Sequence, residues 1–142
     1  MKRLLMLLLP ILALALAACS GSQAPTGGNT ITVKAEALKY APATIEVTAG
    51  QTVRLIFEND DSVDHDFSIM EFPMAMMATA APMAGHDMSG MTDQPQLHMA
   101  VAMGQTGTME FTPTKPGTYE FFCTVPGHQE AGMIGTLIVK SP

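Results

Sequence analysis

Thiols and positive charge are both scarce in this sequence. Its 142 residues include two cysteines, and seven Lys/Arg against thirteen Asp/Glu. An acidic balance excludes the clustered Lys and Arg with which proteins hold a phosphate backbone, so nucleic acid is not an expected partner and basic partners are favoured. Long apolar runs are missing too. The longest, Leu4 to Ala18, is short of the roughly 20 residues that span a bilayer. It follows the basic Met1-Lys2-Arg3 and reads as the core of a signal peptide.

The start of the chain is therefore separate from the fold. Residues 1–18 are read as the signal, and Leu16-Ala17-Ala18-Cys19 resembles the lipobox of bacterial lipoproteins. That resemblance implies a lipidated Cys19 and an exported protein anchored on the periplasmic or outer face of a bacterial membrane. The alternative is an ordinary secretory signal cut at the small residues nearby. Residues 19–29, rich in Gly, Ser, Pro and Thr, read as a flexible tether. Residues 30–142 suffice for one domain with its own core, expected to be a monomer. If Cys19 is lipidated, Cys123 is the sole thiol of that domain and forms no intramolecular disulfide. A lone exported cysteine is a liability unless something uses it, as a metal would.

What is present is a series of short alternating runs divided by turn residues. Eight strands are predicted: 31–38, 44–47, 52–57, 65–70, 97–102, 106–112, 118–123 and 135–140. This pattern predicts an all-β sandwich. Between the last two strands runs Cys123-x4-His128-x4-Met133, a thiolate, an imidazole and a thioether at five-residue steps. With His65 from upstream, these donors suit copper: two histidines and a cysteine in a plane, with a weak axial methionine. Pro126-Gly127 reverses the chain, and Gly132 allows close backbone approach. Tyr119, Phe121 and Cys123 share one strand face, taken as the inner one. Each residue also has a plainer reading. His65, beside Asp61, Asp64 and Asp66, could be a surface histidine; Met133 could be a core methionine; Cys123 could be a buried inert thiol.

The loop, its flanking strands and the distant Asp64-His65-Asp66-Phe67 resemble the cupredoxins, the type 1 blue-copper proteins, over roughly residues 30–139. The loop spacing is most like that of rusticyanin and sulfocyanin. The resemblance implies a Greek-key sandwich and one type 1 copper held by His65, Cys123, His128 and Met133. It implies a carrier rather than an enzyme, cycling between Cu(I) and Cu(II) at a membrane surface. Redox partners such as cytochromes or a terminal oxidase or reductase would follow. Family members usually carry Asn after the first histidine; Asp66 stands here. Its carboxylate can accept from a backbone N–H or the Thr124 hydroxyl but cannot donate when ionised. The N–H of residue 66 is expected to aim at the Cys123 sulfur. The departure bears on reduction potential more than on binding. Multicopper oxidases need His-x-His pairs and further domains, and binuclear centres of the cytochrome oxidase type need a second loop cysteine; the chain has neither motif.

One stretch stands outside the resemblance. Met70 to Met103 holds nine of the thirteen methionines, with His86 and His98. Residues 71–95, approximately, read as an insertion, and 75–95 as a long loop. His86, Met88 and Met91 place soft donors at short spacing, which suits Cu(I). Three readings stay open: a second, labile Cu(I) site in a copper chaperone or copper-resistance protein; an apolar surface over the His128 end that adapts to a redox partner; or a loop of biased composition and no role. His98, next to Met99, reads as a packed or surface residue.

Overall fold

The computed structural model describes residues 29–79 and 93–142, without the side chains of 76–79. Residues 1–28 and 80–92 lie outside this description, and with them the expected signal, the expected lipidation site Cys19, most of the tether, and the His86, Met88 and Met91 candidate.

Ten strands follow in chain order: β1 (Asn29–Glu36), β2 (Lys39–Ala41), β3 (Thr44–Thr48), β4 (Val53–Asn59), β5 (His65–Ile69), β6 (Met74–Thr79), β7 (Leu97–Val101), β8 (Thr106–Pro113), β9 (Gly117–Phe122) and β10 (Ile134–Lys140). Alternation decides which face of each is buried. In β4, Val53, Leu55 and Phe57 enter the core while Arg54 stays in solvent. The strands form two five-stranded sheets, ordered β2-β1-β4-β8-β6 and β3-β10-β9-β5-β7. The all-β sandwich expectation holds. β1 runs parallel to β4 and β3 parallel to β10; the other pairs are antiparallel.

Aromatic rings from both sheets interlock at the centre. Phe67 and Phe121 stack at 4.4 Å, and Tyr40 meets Phe121 edge-on at 5.0 Å. Phe67 and Phe121 stand two residues from His65 and Cys123 on their strands, so this cluster lies against the end that carries those donors.

Two elements correct the sequence reading. The stretch read as a loop from Ala75 begins as an edge strand: β6 pairs with β8 through Met74↔Pro113, Met77↔Phe111 and Thr79↔Met109, with an irregularity between Met74 and Met77. The run read as one strand to Leu38 breaks at Ala37 and Leu38, and returns as β2 with Glu36 opposite Lys39.

Candidate metal centre

β5 and β9 are neighbours, yet their register is the single pair Ser68↔Phe122. Beyond it, side chains take over from the ladder. Both Asp66 carboxylate oxygens accept the Thr124 N–H at 3.0 Å, and the Thr124 hydroxyl donates to Asp66 Oδ2 at 2.7 Å. The Ser68 hydroxyl donates to Asp66 Oδ1 at 2.6 Å and also lies 2.8 Å from His98 Nδ1. The Asp66 N–H points at Cys123 Sγ from 3.5 Å. Asp66 is fully buried, and these donors offset the loss of hydration of its carboxyl group.

The connection from β9 to β10 folds as one helical turn. His128 N–H donates to Val125 O and Ala131 N–H to Gly127 O. The turn ends with Gly132 N–H on Gln129 O and Met133 N–H on His128 O, both at 2.9 Å. That pair of bonds is the Schellman pattern, which needs a left-handed residue at Gly132; its φ is 89°. The pattern commonly brings together the side chains one turn before and one residue after the left-handed position, here His128 and Met133. The Met133 N–H bond to the His128 carbonyl thus brings the two backbones together across the five-residue step. Met133 is fully buried, and its carbonyl accepts the Cys123 N–H at 3.3 Å, closing the loop on the first donor.

Three donor atoms converge. His65 Nδ1 lies 3.1 Å from His128 Nδ1 and 3.8 Å from Cys123 Sγ, and His128 Nδ1 lies 3.4 Å from Cys123 Sγ. A point equidistant from all three is about 2.0 Å from each, close to the bond lengths that transition-metal ions make to nitrogen and sulfur. The donor set fits copper. His65 and Cys123 are fully buried and His128 is half-buried. His65 Nε2 faces Asp61 Oδ2 at 3.2 Å. A carboxylate only accepts, so Nε2–H is the donor this contact favours, and in that neutral tautomer Nδ1 offers its lone pair to the centre.

Electrostatics prepare the donors unequally. Burial, reinforced by the Asp66 charge, pushes the Cys123 thiol up to about 12. Burial and then the neighbouring His65 push His128 below the usual imidazole range, which keeps it neutral. Asp61 is held below the usual carboxylate range by the Ser62 N–H, by His65 and by the Leu38 N–H.

Two residues at this end have roles that sequence reasoning does not reach. Asp61, named in the sequence only as an acidic neighbour of His65, faces its Nε2 from four residues away. Asn59 is buried, and its side chain donates to the carbonyls of Val63 and Val101 at 2.8 and 3.0 Å and accepts the Asp61 N–H. It fixes the loop that aims Asp61.

A family model described as Cupredoxin-like domain matches residues 8–139. The chain is 34% identical over 113 residues to the Copper-resistant cuproprotein CopI of Rubrivivax gelatinosus, covering 76% of this chain and 64% of that protein. It is 31% identical over 141 residues to Auracyanin-B of Chloroflexus aurantiacus, covering 86% of this chain and 60% of that protein. To Rusticyanin of Acidithiobacillus ferrooxidans it is 35% identical over 102 residues, covering 68% and 60%. The chain thus spans less than two thirds of the length of these three relatives. Among solved structures, auracyanin B superposes with a TM-score of 0.57 at 27% identity, over 79% of this chain and 88% of that one.

Proposed function

The chain belongs to the cupredoxin-like family, and on that premise we propose that it is a one-electron carrier built on a single mononuclear copper. The observation that carries this reading is the triangle of His65 Nδ1, His128 Nδ1 and Cys123 Sγ, sized for one metal ion. His65, Cys123 and His128 would hold the copper, and the buried Met133 would add a thioether donor. Copper in this set would supply one-electron chemistry by passing between Cu(II) and Cu(I).

The chain's own part is to hold that geometry. Asp61 orients His65 through Nε2, and Asp66 ties β5 to Thr124 beside Cys123. The helical turn fixes His128, and the Phe67–Phe121 wall excludes water from beneath the thiol. Rigid, dry surroundings limit rearrangement when the charge on the metal changes. Cys123 Sγ has two imidazoles within reach, but all three donors turn toward one shared point, which favours a carrier over an enzyme with a cysteine nucleophile. Val63 and Met103 are exposed at the same end, where Met103 N–H meets Asp64 Oδ1, and would give a redox partner protein an apolar foothold. Anchoring through lipidated Cys19 on an exported protein extends the proposal; its support is the sequence of residues 1–19 alone.

A second reading is copper handling. The resemblance to the Copper-resistant cuproprotein CopI favours it, as does the methionine-rich stretch from Met70 to Met103 with its His86, Met88 and Met91. One spectrum separates the two. With Cu(II) added, the carrier reading expects an intense thiolate-to-copper band that bleaches with a mild reductant, returns on reoxidation, and is lost in Cys123→Ser. Cu(I) bound tightly without such a band would replace it with copper delivery.

A further inference from the structure

Three consecutive residues, from the end of the β1–β2 turn into β2, each reach a different part of the metal centre. The Leu38 N–H donates to Asp61 Oδ2 at 3.3 Å, the oxygen that faces His65 Nε2. Lys39 Nζ donates to the carbonyls of Ala131 and Gly132 at 3.2 and 3.3 Å, in the turn that carries His128 into Met133. The Tyr40 hydroxyl, buried, donates to the carbonyl of Asp66, whose N–H faces the Cys123 sulfur. β2 belongs to the other sheet from β5, β9 and β10, so these contacts cross from one sheet to the donors of the other.

The turn that delivers them is strained. Ala37 and Leu38 have φ of 50° and 57°. A two-residue hairpin loop needs this left-handed pair to match the twist of its strands, and Asn or Gly adopts it with little steric cost. Residues with larger side chains persist there where the surroundings over-determine them. Here those surroundings are the centre itself, through Asp61, the loop carbonyls and Asp66.

We propose that the β1–β2 hairpin is a brace for the metal centre and that Lys39 is its positioning residue. The carbonyls of Ala131 and Gly132 are the open C-terminal end of the helical turn, where an ammonium group is favourable. The fit is close: a Cβ built on Gly132 would stand 2.8 Å from Lys39 Nζ. By holding those carbonyls, Lys39 keeps His128 and Met133 at one spacing in both oxidation states of a bound copper. This role rests on the carrier reading above.

The test compares Lys39→Met with Lys39→Arg in the whole copper-loaded chain. Lys39 is exposed, so both variants should fold. Lys39→Met is expected to shift the thiolate-to-copper band and the electron paramagnetic resonance hyperfine coupling. It should also slow electron self-exchange, in which one copy is oxidised as another is reduced, by roughly tenfold, the low end for residues that support metal ligands. Lys39→Arg should restore both. A Lys39→Met protein with the parent's spectrum and exchange rate, whatever its melting temperature, would overturn the brace. A parent protein with no thiolate-to-copper band would instead overturn the carrier reading, and the role of Lys39 in it.

Discussion

The thiol of Cys123 sets how the centre loads. Burial raises it to about 12, so at neutral pH the metal-free protein holds a protonated thiol, and a metal must displace that proton. His128, pushed the other way, is already neutral and gives up none. Titrating the protein with Cu(II) at pH 7.5 in weak buffer should therefore release close to one proton per copper from Cys123. Apparent affinity should rise with pH, about tenfold per unit, because one proton competes at one site. A pH-independent affinity would mean that the thiolate is not a ligand. Cys123, His128 and His65 stood out in the sequence because a donor's chemistry is written in its residue type and the loop's spacing is local. The orienting roles of Asp61 and Lys39 are not legible in the same way. An aspartate among Asn59, Asp60 and Ser62 reads as a turn former, and a lysine on a short edge strand reads as solvated. Their roles exist only once chain segments far apart in sequence have met.

The ligand loop works as a unit because its helical turn closes on Gly132. Alanine there would take a left-handed backbone, at about 1–2 kcal/mol for a residue with a Cβ, and would press on Lys39 Nζ at 2.8 Å. Gly132→Ala should lower the stability of the copper-free protein by about that amount, read from urea unfolding midpoints, and weaken copper binding further by disturbing Met133. Gly132→Asn should lose less, since Asn tolerates the conformation. An alanine variant with unchanged midpoint and affinity would show that the Schellman turn does not govern the site. The same contrast between local and distant information explains the strands. Runs such as Val53-x-Leu55-x-Phe57 declare themselves by alternation. β6, with Met74, Met76 and Met77, has no such period, and its pairing with β8 decides it. β2 is three residues long and follows a turn without Gly, Asn or Pro, so nothing local marked it.

The two sheets divide the labour. The second supplies every donor, from β5 and from the connection between β9 and β10, while the first reaches across with the β1–β2 hairpin and Asn59. The same end carries a charge bias. Asp60, Asp61 and Asp64 lie in the connection that leads into His65, and the chain as a whole has a formal net charge of −6. Lys34 offsets part of this by pairing with Glu58 and Asp60. Such a field attracts cations and repels anions over about 30 Å at 0.01 M salt but only about 8 Å at 0.15 M. A cationic partner should therefore be steered toward the metal end, chiefly through its association rate. Stopped-flow oxidation of the reduced, copper-loaded protein can test the sign directly. With a cationic complex such as hexaamminecobalt(III), the rate should fall several-fold between those salt concentrations; with ferricyanide, an anion, it should rise. Opposite slopes locate the acidic surface close to the point where the electron leaves. If both reagents respond alike, or neither responds, the acidic residues lie too far from that point to select a partner, and the apolar surface at Val63 and Met103 would have to select it alone.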